Sequence, residues 1–350
     1  MKTLISLLVM SLTSAWGARM IFSEPPEAPR VEPQHDRQSR LAEARTWMYQ
    51  IDGLDAPGAV EALAASKYPL LVVESGINDR DAGKEEARGM VDRLRRLPDG
   101  HPRLVVAYLD VGQAETYRAY WGKDWRGPRS GKPGHPEFLL AADPDGWDGS
   151  YQVAYWDKRW QAIWLGPDGV VARLAALGYD GIYLDWIDAY TEPSVVAAAK
   201  RAGLNPAAEM ITFVQSLREA GRRICPDFLV IAQNGAGLID ADPARYIKAI
   251  DAVAFEDTWF FGEGGVAWES PRAGDLRHQD TDPDWTPARR LKQYRKYQDR
   301  GRPVFTVDYC LKAENAALVY KEAHAAGLRP LVTRVSLSRM TLTPPPGGGR

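Results

Sequence analysis

Eight short apolar runs that alternate with helical stretches predict an α/β fold, a (β/α)8 TIM barrel built as a single domain with long βα loops. Two observations carry that expectation. The runs read as unbroken apolar segments, the pattern of parallel strands buried on both faces. Seven of them also end in an acid or an amide: LLVVE at Glu74, RLVVAYLD at Asp110, YQVAYWD at Asp157, GIYLD at Asp185, FLVIAQN at Asn234, AVAFE at Glu256 and PVFTVD at Asp308. An unpaired carboxylate inside an apolar core is costly, so these ends converge on one wet mouth. In a parallel barrel that mouth lies at the C-terminal ends of the strands, where active sites sit.

In chain order, the expected first strand is Thr46–Ile51, with a helix from Pro57 to Ser66. The second is Leu70–Glu74, followed by a charged helix over Lys84–Leu97. The third is Leu104–Asp110, with a helix starting at Gln113 and a loop rich in Gly, Pro and Trp from Trp121 to Ser150. The fourth is Gln152–Trp156, its helix stopped by Gly178. The fifth is Gly181–Asp185, with helix over Ser194–Gly221. The sixth is Phe228–Gln233, with a brief helix at Pro243–Ala249. The seventh is Ala252–Glu256, then a loop over 258–285 and a helix over Pro287–Arg300. The eighth is Val304–Asp308, closed by Ala313–Ala326. The strand-like Pro330–Ser336 has no place in this count. Both long loops follow strand C-termini and overhang the mouth; the second has the glycines of a mobile lid.

The 350-residue chain suits one barrel with insertions. Its formal charge of -2 argues against nucleic acid or an anionic membrane surface as partner. Residues 1–17 read as a signal peptide: Lys2, an apolar run from Leu4 to Leu12 too short to span a bilayer, then small residues. The expectation is a secreted or periplasmic protein with no stable membrane insertion after cleavage. Residues 18–40 read as a disordered linker, 41–340 as the barrel and 341–350 as a disordered tail. Cys225 precedes one strand and Cys310 follows another, which places them at opposite barrel ends as free thiols.

Asp185 and Glu256 form the leading pair. They end the fifth and seventh expected strands, and alternate strands contribute to one layer of a barrel interior. Paired carboxylates serve glycoside hydrolysis, one as nucleophile or base and the other as acid. At barrel mouths acids also bind metals or hold loops. Asp188 caps the next segment or binds a sugar hydroxyl. Asn234 donates to a substrate or to the nucleophile, or turns the chain with Gly235. Asp308, Tyr309, Tyr49 and Gln50 end their strands as hydrogen-bonding groups for a sugar or as satisfied core polar residues. Among the 12 Trp and 15 Tyr, Trp121, Trp125, Trp147, Tyr151 and Trp156 are candidates for stacking on sugar rings. None of the five histidines ends a strand, so a histidine-held metal is not expected, and the sequence implies no cofactor. Two other readings stand beside the hydrolase: a non-catalytic glycan-binding barrel, and a metal-dependent enzyme with a cation among Asp110, Asp185 and Glu256.

The segments YLDVGQAETYRAYW, DGWDGSYQVAYWDKRWQ, GYDGIYLDWIDAY, IAQNG and AFED, in this order from Trp47 to Asp308, resemble the bacterial and archaeal endo-α-1,4-polygalactosaminidase-like proteins related to glycoside hydrolase family 114. The resemblance implies an exported barrel that cleaves α-1,4-linked galactosamine-containing polysaccharide. It implies Asp185 as nucleophile and Glu256 as general acid/base, with retention of configuration. Family members commonly carry Ser where Asp110 stands, so an added acid near the mouth is expected to tune subsite preference or the acid pair.

Overall fold

The computed structural model describes residues 36–76, 84–129, 132–278 and 286–341. The expected signal peptide, most of the linker and nearly all of the C-terminal tail lie outside the described residues. Eight parallel strands follow one another around the sheet in chain order: β1 (Trp47–Gln50), β2 (Leu70–Glu74), β3 (Leu104–Asp110), β4 (Gly181–Asp185), β5 (Leu229–Gln233), β6 (Ala252–Glu256), β7 (Val304–Tyr309) and β8 (Arg329–Thr333). Helices between them cover the outside, as a right-handed parallel crossover requires. The result is a TIM barrel. The seam between β1 and β8 is bridged by the Trp47 indole, which donates to the Arg329 carbonyl (3.0 Å), and by the Ile51 and Asp52 amides, which donate to the Leu337 carbonyl.

The strand count matches expectation, but two assignments change. The expected fourth strand is not in the barrel. Ser150–Val153 pairs antiparallel with Gln113–Glu115 and with Leu139–Ala142, in a small three-stranded sheet inserted between β3 and β4. The expected helix at Gln113 is therefore a strand. The run beyond Val153 turns at once, and Asp157 caps the helix Lys158–Leu165 by accepting from the Arg159 amide (2.9 Å). The unplaced run near Pro330 supplies β8, paired in register with β7 from Phe305↔Arg329 to Tyr309↔Thr333. A short apolar run does not specify its partner, and that ambiguity exchanged the two segments.

Side chains alternate along each strand, so Trp47 and Tyr49 on β1, and Tyr183 and Asp185 on β4, share the barrel interior. That interior is aromatic. Tyr49 and Tyr183 lie 5.0 Å apart between ring centres, and Trp47 meets Phe305 edge-on at 5.4 Å. All four are buried, and they form a dry floor beneath the mouth.

At the opposite end, three acids immediately precede strands. Asp180 lies before β4, Asp227 before β5 and Asp251 before β6. The residues expected to end the linker instead form a helix, Asp36–Glu43, that serves them. Arg37 pairs with Asp180 (2.7 Å) and Asp227 (2.6 Å), and the Gln38 amide donates to Asp251 (3.0 Å). Arg218 completes Asp251 at 2.6 Å, and backbone amides of Val105 and Val230 donate to Asp180 and Asp251. Buried acids need partners, and this need orders a polar segment that composition alone reads as linker. Arg37→Ala leaves two nearly buried carboxylates without their cation. It should lower unfolding free energy by about 3 kcal/mol, read as a lower urea midpoint at unchanged slope.

Candidate active site

The C-terminal strand ends open into a cleft of about 1850 Å³ lined by residues from every side of the mouth. The chain turns sharply as it leaves three adjacent strands. Trp186 after β4, Asn234 after β5 and Asp257 after β6 all adopt left-handed backbone conformations, with φ of 56°, 61° and 55°. Such a conformation is unfavourable for a residue with a Cβ and is found where a site demands it. Here it turns the chain away so that Asp185 and Glu256 are the last strand residues facing the cleft.

Each carboxylate is held by two neutral donors. Asp185 accepts from the Tyr108 hydroxyl (2.7 Å) and from the Trp186 amide (2.7 Å). Glu256 accepts from the Asn234 side-chain amide (2.9 Å) and from the Tyr309 hydroxyl. Asn234 is itself oriented, because the Glu256 backbone amide donates to its Oδ1 (3.2 Å). No described lysine or arginine pairs with either acid. Burial first, and the charge of Glu256 second, push Asp185 well above the usual carboxylate range. Burial pushes the Tyr309 phenol up as well, with Glu256 and then Asp257 next in strength. Like charges that face one cleft resist being ionised together, and of this pair it is Asp185 whose proton is held tightly. Among the described residues, no three His, Cys, Asp or Glu side chains are disposed to hold a metal ion.

The sequence profile of glycoside-hydrolase family GH114 matches residues 28–345. The chain belongs to that family. It is a glycoside hydrolase. An uncharacterised protein of Deinococcus radiodurans is 33% identical over 99% of this chain and all of its own length. A Thermotoga maritima protein is 31% identical over 61% of this chain and 60% of its own. Among solved structures, Aspergillus fumigatus Ega3 in complex with galactosamine superposes with a TM-score of 0.56 at 16% identity, covering 85% of this chain and 94% of Ega3. The glycoside hydrolase domain of PelA from Pseudomonas aeruginosa gives 0.54 at 20% identity, covering 85% and 96%. At those identities the likeness is one of fold.

Within this GH114 barrel, Tyr49, Asp110, Asp188, Asn234 and Tyr309 line the cleft with Asp185 and Glu256. Tyr49 donates to Gln233 (3.1 Å). Asp188, in the 3-10 turn Ile187–Thr191, is pushed up to about 7, chiefly by burial. Two expected ligands serve the fold instead. Gln50 is buried and donates to the Asp52 and Ser338 carbonyls, tying the loops after β1 and β8. Asp308 faces away from the cleft, as its alternation with Tyr309 requires, and accepts from the Trp259 (2.6 Å) and Phe260 (2.8 Å) amides. Of the stacking candidates only Trp147 lines the cleft; Tyr151 packs against Trp121, Trp121 against Trp125, and Trp156 against Tyr155. Sequence reasoning passed over Tyr108, Gln233, Trp186 and Trp268, which also line it. The period-two step from Asp110 back to Tyr108 was the available signal.

Glu74 and Glu115 also line the cleft, but Arg118 pairs with both, at 2.8 and 2.6 Å. The loop expected as a mobile lid is tied down over its described part, residues 258–278. Phe260–Phe261 pairs with Leu276–Arg277, and the Arg334 side chain and Val335 amide donate to the Ser270 and Ala273 carbonyls. Its tip reaches the loop after β3: a Cβ added at Gly264 would lie 3.1 Å from the Trp147 ring.

Two predictions follow from these contacts. Tyr108→Phe and Tyr309→Phe each free one of these two carboxylates to rotate, and each should lower kcat by about 10- to 100-fold with a smaller change in KM; steady-state kinetics reads the split. Asp308 is the second case. Burial pushes its carboxyl up to about 7 against the pull of the Phe260 and Trp259 amides. The folded protein therefore keeps a proton that the unfolded chain releases near pH ~4. The resulting stability is fully present below that pH and is lost as pH rises through about 7. Asp308→Asn keeps an oxygen for both amides and removes this loss. Urea midpoints from pH ~4 to ~8 should fall in the parent relative to the variant, by at most about 4 kcal/mol of unfolding free energy.

Proposed function

We propose that this GH114 barrel is an exported hydrolase of α-1,4-linked galactosamine-containing polysaccharide, acting by a two-carboxylate retaining mechanism. The observation that carries the reading is the pair at the ends of β4 and β6, Asp185 and Glu256, facing one cleft and held, among the described residues, by neutral donors. Protonated Glu256 gives its proton to the glycosidic oxygen as the bond to the anomeric carbon breaks, and the Asp185 carboxylate forms the new bond to that carbon. Glu256, now ionised, takes a proton from water, whose oxygen displaces Asp185 and restores the starting state.

The galactosamine bound to Ega3 supports an amino-sugar substrate, since the two proteins share a fold. The lining charges agree with it: Asp110, Asp145, Asp148, Asp188 and Glu192 face the cleft and favour a cationic polymer. Trp147 and Trp268 offer ring faces to sugars. The apolar run from Leu4 to Leu12 supports export to a secreted or periplasmic location, and no described helix is long and apolar enough to cross a membrane.

Asp185→Asn and Glu256→Gln should each reduce reducing-end release from a partially deacetylated galactosamine polymer by at least about 1000-fold while leaving the fold intact. Proton NMR of the first products should show the anomer of the substrate. Undiminished turnover in either variant, or an inverted product, would sink the assignment.

A further inference from the structure

Asp110 ends β3 directly beside Asp185. The two are partners in the β3–β4 register, so they face the cleft one strand spacing apart, roughly 4.8 Å between backbones. Asp110 is only 4% exposed, yet it lines the cleft. Its Oδ1 is occupied, accepting from the Gly112 (3.2 Å) and Gln113 (2.8 Å) amides. No described residue hydrogen-bonds Oδ2. This atom is thus fixed by its partner oxygen and left for something in the cleft.

The surroundings decide what that something is. Burial first, then Glu115 and Asp185, hold the proton affinity of Asp110 high, against the pull of the Gln113 amide and Arg118. The cation on this side, Arg118, is taken by Glu74 and Glu115. A neutral hydroxyl at Oδ2 would leave Asp110 and Asp185 side by side with no added positive charge. A protonated amine would supply both the missing donor and the missing charge, and a charge-assisted hydrogen bond is the stronger kind.

We infer that Asp110 is a specificity residue that binds the protonated amine of the sugar unit seated at Asp185. The inference rests on the amino-sugar reading above and narrows it: the enzyme selects a free amine over an acetamido group at that unit. An acetamide carries no charge with which to offset the neighbouring acids.

Titration calorimetry of the full chain with galactosamine and with N-acetylgalactosamine tests this. Asp110→Asn retains the oxygen that holds the Gly112 and Gln113 amides, and Asp110→Ser is a smaller second variant. The parent should prefer galactosamine. Both variants should weaken galactosamine by about tenfold or more while changing N-acetylgalactosamine by less than about twofold. Equal weakening of both sugars, no weakening of galactosamine, a parent that prefers the acetylated sugar, or a parent that binds neither would overturn the assignment. Failure of the hydrolase reading looks different: the amine preference persists in titration while the parent releases no reducing ends from the polymer.

Discussion

The desolvation of carboxylates organises this molecule. A parallel barrel buries its strands on both faces, and an acid next to such a strand loses water whichever end it occupies. The chain meets that cost in two ways. At the N-terminal end, Asp180, Asp227 and Asp251 receive arginines, and Asp180 and Asp251 also backbone amides. At the C-terminal end, Asp185 and Glu256 receive two hydroxyls, one side-chain amide and one backbone amide. The first arrangement fixes charge in place and holds a helix against the barrel. The second leaves the carboxyls able to change protonation, because a hydroxyl or amide orients an acid without neutralising it.

The same distinction sorts the polar strand ends. Glu74 faces the cleft but is tied with Glu115 to buried Arg118, so it braces the wall. Asp157 caps a helix. Asp308 points outward and anchors the start of the loop after β6 through two backbone amides. That anchor matters to the site, because the loop carries Trp268 to the cleft and sets Gly264 against Trp147. With this contact the chain from β3 and the chain from β6 meet across the shorter turns after β4 and β5. The resulting ring of backbone and packed side chain borders Asp185, Asn234 and Glu256.

The barrel was legible because its signals are local: apolar runs, stop residues, and polar groups where those runs end. The position of Asp185 and Glu256 at strand ends on the cleft was legible for the same reason. The exchange between the run at Ser150–Val153 and the run at Arg329–Thr333 was not, since partner choice is set by contacts far apart in sequence. Gln50 and Asp308 were misread by one step of strand alternation: neighbours on a strand face opposite ways, so Tyr49 and Tyr309 point into the cleft and these two do not. The helix at Asp36–Glu43 could not be read from its own composition. Its reason is the three acids it serves, which lie between 137 and 215 residues further along the chain.

The donor sets of Asp185 and Glu256 are nearly symmetrical, a tyrosine hydroxyl and an amide each. The structure around them is not. Beside Asp185 stands Asp110 with one oxygen unengaged; beside Glu256 stand Asp257 and, donating to the Glu256 carbonyl, Arg290. A cation bound at Asp110 would act first on its neighbour. It would offset part of what burial and Glu256 do to Asp185 and favour the ionised Asp185 carboxylate. Under the proposed retaining mechanism the substrate's own charge would thus act on the carboxylate that attacks, and a sugar without a free amine would lack that help.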